Sequence, residues 1–477
     1  MKAIFLRSAA VITLGLSLGL TACDKKLDLT PQQSVDAETA LNTEQKVTSG
    51  VVGMYAKLVN PALYGTNLLL LPDLMGGDGY VNWQGTFQSY REIIRRNTLT
   101  SVNAEAERTW RRAYEAINQA NLVIQALPVV IAPGLADQYR GEALFIRGAM
   151  HFELVRLYAQ QYRVGGNNSQ PGVPITLTPA NNLEQASTMT PRATVEEVYT
   201  QVIADLTEAA SLLPTDNNNR ATSFAAKALL ARVYLQQGNY TQALRRANEV
   251  ITETSATKGL NATLASVFTN KNSAESLFEI QQNDQNNAGT TNDGMATFYA
   301  SIPGVGRADV QVLGSFTSLY EDFDVRGTDS LNAASTRKLI YLGDGSRPGR
   351  LRSGKWRTFS QNIPVLRLGE QYLIRAEAAF RTGNLSTALA DINRIRTRSG
   401  ATPLTANGLT LNAILLERQR ELAFEGFRIH DLKRTGTDII IPGDMPTTLP
   451  ITSPRLLLPI PQREINVNSS LTQNESY

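Results

Sequence analysis

Nucleophiles, general bases and metal ligands act in sets, and this chain has few residues from which to build one. Its 477 residues include one cysteine, Cys23, and two histidines, His151 and His430. A lone cysteine makes neither an intramolecular disulfide nor a multi-cysteine metal site. The histidines are far apart in sequence and have no cysteine partner, which argues against a histidine-based metal cluster. His151 has apolar neighbours on a predicted helix, and His430 stands beside Asp431 in R-I-H-D-L, so both read as buried or capping histidines. No G-x-S-x-G occurs, and the S-x-x-K formed by Ser335 and Lys338 has no accompanying K-T-G. Gly304-Val305-Gly306 and Gly343-Asp344-Gly345 lack the strand-then-helix context of a phosphate loop. Glu417, Glu421 and Glu425 recur at i, i+4 and i+8, which places three carboxylates on one helix face. Paired carboxylates can hydrolyse glycosides. Here Arg418, Arg420 and Arg428 are interleaved, and the pattern reads as an ion-pair ladder. Asp284, Asn286 and Gly289 mimic the start of an EF-hand loop, but Met295 stands where the closing glutamate belongs. No metal is expected at that loop, and other loop acids leave calcium an open alternative. The chain is read as a non-enzyme, with no metal site and no cofactor assigned.

Cys23 suits a different chemistry. Lys2 and Arg7 give a positive start, residues 9–20 are apolar, and Thr21 and Ala22 lead into the cysteine. These are the parts of an export signal. The apolar stretch is too short for a membrane-spanning helix. The L-T-A-C tetrad resembles the bacterial lipobox, in which the thiol is acylated and the chain is cut just before the cysteine. Residues 1–22 are thus expected to be a lipoprotein signal peptide and Cys23 the lipidated residue. Stable anchoring takes two acyl chains or an equivalent second signal, and the mature lipoprotein type carries at least two. The formal net charge of +3 falls further when Lys2 and Arg7 leave, and no basic block remains, so nucleic acid is not an expected partner. Hydrophobic content of 42% is enough for a core and too high for disorder.

The elements that would position any site are mostly helical. Residues 23–38 are polar, contain Pro31 and read as a lipidated tether. From Trp110 an apolar stripe runs through Ala113, Tyr114, Ile117, Ala120, Ile124 and Leu127, stopping at Pro128. The next helix is predicted over 136–158. Thr194 and Glu197 form a capping-box pattern ahead of another. Two segments resemble each other, A-R-V-Y-L-Q-Q-G-N-Y-T-Q-A-L at 231–244 and A-E-A-A-F-R-T-G-N-L-S-T-A-L at 376–389. Each reads as a helix, a glycine turn and an antiparallel helix, with small alanines allowing close approach. That is a tetratricopeptide-type unit, which must stack to bury its face. Three regions interrupt the pattern. Residues 64–90, 281–312 and 341–362 are rich in Gly, Asn and aromatic residues and read as long functional loops.

Nearly end to end, the chain resembles the SusD/RagB family of outer-membrane lipoproteins. The resemblance rests on L-D-L-T-P at 27–31, W-R-R-A-Y-E-A-I-N-Q-A-N at 110–121 and G-E-A-L-F-I-R-G-A-M-H-F-E-L-V-R-L-Y at 141–158. It continues with the D-x-R of L-Y-E-D-F-D-V-R at 319–326 and P-V-L-R-L-G-E-Q-Y-L-I-R-A-E-A at 364–378. Most specific are E-R-Q-R-E-L-A-F-E-G-F-R-I-H-D-L-K-R at 417–434 and the closing L-P-I-P-Q-R-E-I-N-V-N at 458–468. The sequence departs from the family at Asn468-Ser469, where Asn-Pro is usual, and at Ser476, where Gly is usual. The resemblance implies a mainly α fold, a tetratricopeptide-like helix-pair scaffold (α-α superhelix) with a loop-rich insertion subdomain. Residues 39–477 would form one such unit, with helical scaffold at 39–280 and 363–434 and ligand-facing insertions at 64–90 and 281–362. It implies a place on the outer surface of the outer membrane and a partner, a SusC-like TonB-dependent transporter over which the protein acts as a lid. The implied ligand is an oligosaccharide or a peptide.

A carbohydrate site combines an aromatic platform with amide, carboxylate and guanidinium groups. The first loop region has these types close together in Asp73, Asp78, Tyr80, Asn82, Trp83 and Gln84. Trp83 is the expected platform, with Phe298, Tyr299 and Trp356 as further candidates. Trp110 is assigned to the core by its helical register. Two other functions were weighed, a lipid-anchored glycan hydrolase using loop carboxylates and a tetratricopeptide-type envelope scaffold.

Overall fold

A computed structural model describes residues 40–77, 79–328, 339–441 and 447–477. Cys23, the signal segment, the tether and Asp78 lie outside the described residues, as do Ser335 and Lys338.

Helix α1, Glu44–Leu58, leads into two short helices, α2 at Asn67–Leu74 and α3 at Gln88–Arg95. Helix α2 falls in the 64–90 region read as a long loop, and α3 begins at its end. Every residue of α2 is buried, so its leucine run shows no amphipathic period from which a helix could be read. Helix α4, Ala104–Ala126, starts at Asn103, whose side chain accepts from the Glu105 and Ala106 amides. Ala106, Trp110, Ala113, Ile117 and Ala120 form its buried stripe, and the helix passes into a 3-10 turn containing Pro128. Helix α5, Leu135–Tyr158, is buried almost all round from Gly141 onward, so it runs through the middle of the molecule. Helix α6, Val195–Leu212, opens on the capping box formed by Thr194 and Glu197.

The repeated segments are two helix pairs. The first is α7, Ser223–Gln237, with α8, Tyr240–Glu253. After a five-residue helix α9, Met295–Tyr299, comes the second, α10, Leu368–Arg381, with α11, Leu385–Arg398. Gly238 (φ 76°) and Gly383 (φ 85°) take the left-handed conformation that ends a helix without a Cβ penalty. Asn239 and Asn384 then cap the following helices by accepting from Gln242 N and Thr387 N at 3.2 Å each. Neighbours pack in the order α4, α5, α6, α7, α8, α10, α11. The second pair therefore stacks directly on the first, although some hundred residues of chain intervene. This is a mainly α fold of stacked tetratricopeptide-like pairs. Helices α12, Leu411–Glu421, and α13, Arg428–Thr435, close the array.

Strands are short and occur in antiparallel pairs. Strand β1, Val81–Trp83, pairs with β3, Val310–Val312. Strand β2, Ser276–Ile280, pairs with β6, Ile363–Arg367, and β4, Ile340–Leu342, with β5, Leu351–Ser353. The first pairing joins the early loop region to the insertion, with Asn82 opposite Gln311. No helix among the described residues is long and apolar enough to cross a membrane.

A buried ion network ties the insertion to the array. Arg367 reaches Glu275 and Glu421 with Nη1 and Glu425 with Nε, all at 2.8 Å. Arg326 forks onto Asp324 at 2.7 Å and reaches Glu417 at 2.6 Å and Glu421 at 3.1 Å. Arg398 pairs with Glu275 and Glu421, and Lys355 with Glu425 at 2.6 Å. The D-x-R motif is thus one corner of this network. The three glutamates of the predicted ladder are its centre, and all are buried.

Candidate functional site

Of the residues nominated for ligand contact, Asp73, Tyr80, Trp83, Phe298, Tyr299 and Trp356 gather in two buried clusters beneath the loops. Trp83 packs on Tyr90 (4.6 Å between ring centroids) and edge-on to Phe298 (5.3 Å). Tyr80 stacks on Phe424 at 5.4 Å, and Tyr299 touches Phe424 from another side at 5.7 Å. Trp356 donates from its indole N to the Phe424 carbonyl at 2.8 Å. Trp83 is 5% exposed, Tyr80 3%, and Phe298, Tyr299 and Trp356 0%. In this conformation none of them offers a face to a ligand. The rings join the early loop region, α9 and the turn before α13, a role any aromatic-rich loop can take when it folds onto itself.

Asp73 lies at the centre of the second cluster. Its carboxylate accepts from the Tyr80 hydroxyl and the Tyr299 hydroxyl, both at 3.3 Å, and from Gly426 N at 3.4 Å. Burial nevertheless pushes its pKa up to about 8, outweighing these donors. Gly426 is required here, since a Cβ would lie 2.7 Å from the Leu69 Cα.

What the surface presents over the first cluster is polar. Asn82 is exposed on β1, and Gln84 donates to the Gln311 side chain at 2.7 Å. The Arg307 guanidinium lies over the Phe87 ring at 4.5 Å and 3.2 Å from Asp309, whose other oxygen pairs with Arg347. Gly85 lets this face sit directly on the aromatic layer, because a Cβ there would stand 2.6 Å from the Trp83 ring and 2.7 Å from Asp309. Amides, a hydroxyl on Thr86 and guanidiniums are groups that hydrogen-bond a hydroxylated ligand. The carboxylate within the face, Asp309, is held between two guanidiniums and is no free base. Arg307 and Arg347 were not singled out from the sequence. They reach Asn82 only through the β1–β3 pairing and carry no local signal.

The other chemistry-bearing residues are engaged elsewhere. Burial alone would raise the pKa of Glu421, but Arg398, Arg367 and Arg326 outweigh it and hold it well below the usual carboxylate range. Glu425 is likewise lowered, Arg367 and Lys355 overcoming burial. Carboxylates held charged in this way do not serve as general acids. His151 hydrogen-bonds the Arg147 carbonyl through Nδ1 (3.0 Å) and accepts from Thr176 N through Nε2 (3.3 Å). Burial lowers its pKa to about 4, so it is neutral. His430 is buried, and burial with Arg156, Lys433 and Arg232 nearby pushes its pKa well down. Among the described residues no group of three His, Cys, Asp or Glu side chains converges as metal donors. At 284–289 the loop binds itself, Asn287 donating to the Asn283 and Asp284 carbonyls.

Two further concavities lie away from this face. One of about 580 Å³ is floored by Trp110 and Tyr114 and edged by Thr176, Thr178, Gln185 and Glu464. The other, of about 250 Å³, lies between α12 and α13.

Stacked helix pairs that carry a loop-rich insertion define a protein built on a tetratricopeptide-like frame. The chain belongs to the SusD/RagB family. Residues 25–235 match a family profile described as starch-binding and associating with the outer membrane, and residues 352–439 match the SusD family profile. The chain is 27% identical to a SusD-like protein of Formosa agariphila, over 96% of this chain and 97% of that protein. It is 30% identical to the starch-binding protein SusD of Bacteroides thetaiotaomicron over 32% of this chain and 33% of that one. A solved SusD superfamily structure from B. thetaiotaomicron superposes with a TM-score of 0.78 at 25% identity, covering 91% of this chain and 99% of the other.

Proposed function

We propose that this chain is a lipid-anchored outer-membrane protein that faces the cell exterior, captures glycan and passes it to a SusC-like TonB-dependent barrel transporter, without catalysing a reaction on it. The observation that carries the reading is the family match, which comes from both ends of the chain and from a SusD-like relative spanning nearly all of it. The starch-binding relative favours glycan over peptide as the ligand class. Acylation of Cys23 supplies the anchor. The insertions at 64–90 and 281–362 form the ligand side of one unit, and the helix pairs hold them in register.

The face around Asn82, Gln84, Thr86 and Arg307 makes first contact. Of the buried layer behind it, Trp83 remains the ligand candidate, because its indole N–H is buried without an acceptor. A shift of the Gly85 turn that uncovers this N–H gives a sugar hydroxyl a partner there.

The test is affinity electrophoresis against a polysaccharide panel, combined with purification from detergent-solubilised outer membrane. Retardation by at least one polymer, weakened in Asn82→Ala and Trp83→Ala, and co-purification of a barrel transporter are expected. No retarding polymer and no barrel partner sinks the reading. Release of reducing ends from the panel replaces it with a hydrolase.

A further inference from the structure

The cavity between α12 and α13 is lined by Leu415, Leu416, Leu422 and Leu432, by Arg418 and Arg428, and by Asp431. The charge around it does not balance locally. Asp431 and Asp73 are the acids that act on Arg428; burial pushes the Asp73 pKa up to about 8, so it is mostly uncharged at neutral pH, and Asp431 with the acids of α10 already has its arginines. Glu370 accepts both arms of Arg232 at 2.7 Å. Glu377 accepts both arms of Arg434 at 2.7 and 2.8 Å. Asp431 is bound by Arg418 Nε at 2.9 Å and by Arg434 Nε at 2.8 Å.

Arg428 is left over. Among the described residues its guanidinium makes no hydrogen bond and no ion pair, and its Nε is buried without a partner. Burial lowers its pKa. Arg418, 2% exposed, also has a buried Nη1 without a partner on the same wall. Arg428 is half-buried: its Nε is closed off from water, while its two Nη groups stay open to the cavity and can meet an anion there. Arg428 is not free to swing away. Its stem packs on Gly76, where a Cβ would stand 2.4 Å from the Arg428 Cγ. The fork is therefore held at the cavity in advance, which lowers the entropic cost of using it.

We propose that this cavity binds a small organic carboxylate with an apolar body, the carboxylate on Arg428 and the body against the leucines. A planar guanidinium matches a carboxylate through two parallel hydrogen bonds. About 250 Å³ holds one ring with a short acid side chain, not an oligosaccharide. The cavity shares Tyr80 with the buried aromatic cluster but includes none of Asn82, Gln84, Thr86 and Arg307.

The experiment is isothermal titration of the full chain in low-chloride buffer with 3-phenylpropionate, with its amide and with galacturonate. The acid should bind roughly tenfold or more tighter than the amide, which has the same shape without the charge, and tighter than galacturonate, which has the charge without the apolar body. Arg428→Met keeps the stem on Gly76 and removes the charge. It should abolish the preference for acid over amide while the melting temperature holds, since the half-buried charge that is deleted has no ion-pair partner to lose. Should that variant fold poorly, the acid–amide comparison in the wild type decides alone. No heat with the acid, equal binding of acid and amide, equal binding of galacturonate, or a folded Arg428→Met that keeps the preference each overturns the proposal.

Discussion

At the residue scale, two buried acids show opposite outcomes of the same burial. Burial of Asp73 outweighs its neutral hydrogen-bond donors and the Lys355 charge, and its folded pKa of about 8 lies above the unfolded value. Its contribution to stability is therefore fully present below the unfolded pKa near 4 and is lost as pH rises through 8, with a slope of at most about 1.4 kcal/mol per pH unit. Asp73→Asn should flatten the dependence of the melting temperature on pH between 5 and 8.5 and leave the variant the more stable at the alkaline end. A variant that melts with the wild-type pH profile would contradict the assignment. Glu421 has the opposite surroundings. Three guanidiniums meet its carboxylate, so Glu421→Gln leaves buried cations underpaired and should cost roughly 3–5 kcal/mol in denaturant unfolding. The loss would be one of stability, with glycan retardation retained under conditions where the variant is folded.

At the element scale, the Gly-Asn pair between the helices of each hairpin does two jobs in adjacent positions. The glycine ends one helix in the left-handed region, and the asparagine caps the next. Asn239→Ala and Asn384→Ala should each cost about 1 kcal/mol, read as a lower midpoint at unchanged slope in urea. Being in different pairs, their effects should add. Gly85→Ala tests another element, the β1 turn. The added Cβ collides with the Trp83 ring and Asp309. The prediction is weaker glycan retardation with little change at the distant cavity between α12 and α13. These hairpins were legible in the sequence because the apolar spacing and the Gly-Asn offset are local. Helix α2 was not, because a fully buried helix has no polar face to mark its period.

At the scale of the whole molecule, the fold brings distant pieces of chain together twice. The α7–α8 and α10–α11 pairs stack across a long insertion, and β1 of the early loop region pairs with β3 inside that insertion. The anchor reading belongs to this scale as well. Cys23→Ala should leave glycan binding and the melting temperature unchanged while moving the protein from the membrane to the soluble fraction. Retention of the variant on membranes after a high-salt wash would remove acylation as the anchor.

The sequence by itself determined the helical hairpins, the Thr194–Glu197 capping box, the motif-level kinship and the scarcity of catalytic groups, because each is a matter of residue type at short spacing. Only the tertiary structure decided which loop residues face outward. Trp83, Tyr80, Phe298, Tyr299 and Trp356 have the composition of a binding platform, yet they lie inside. A loop aromatic buries on its own neighbours whenever they supply more apolar contact than water allows. The groups left on the surface above them, Asn82, Gln84 and Arg307, come from segments more than two hundred residues apart, and no local pattern joins them. The same holds for Arg428. Asp431 stands three residues on, the spacing of a helical ion pair, and only the packing reveals that Arg418 and Arg434 hold it instead.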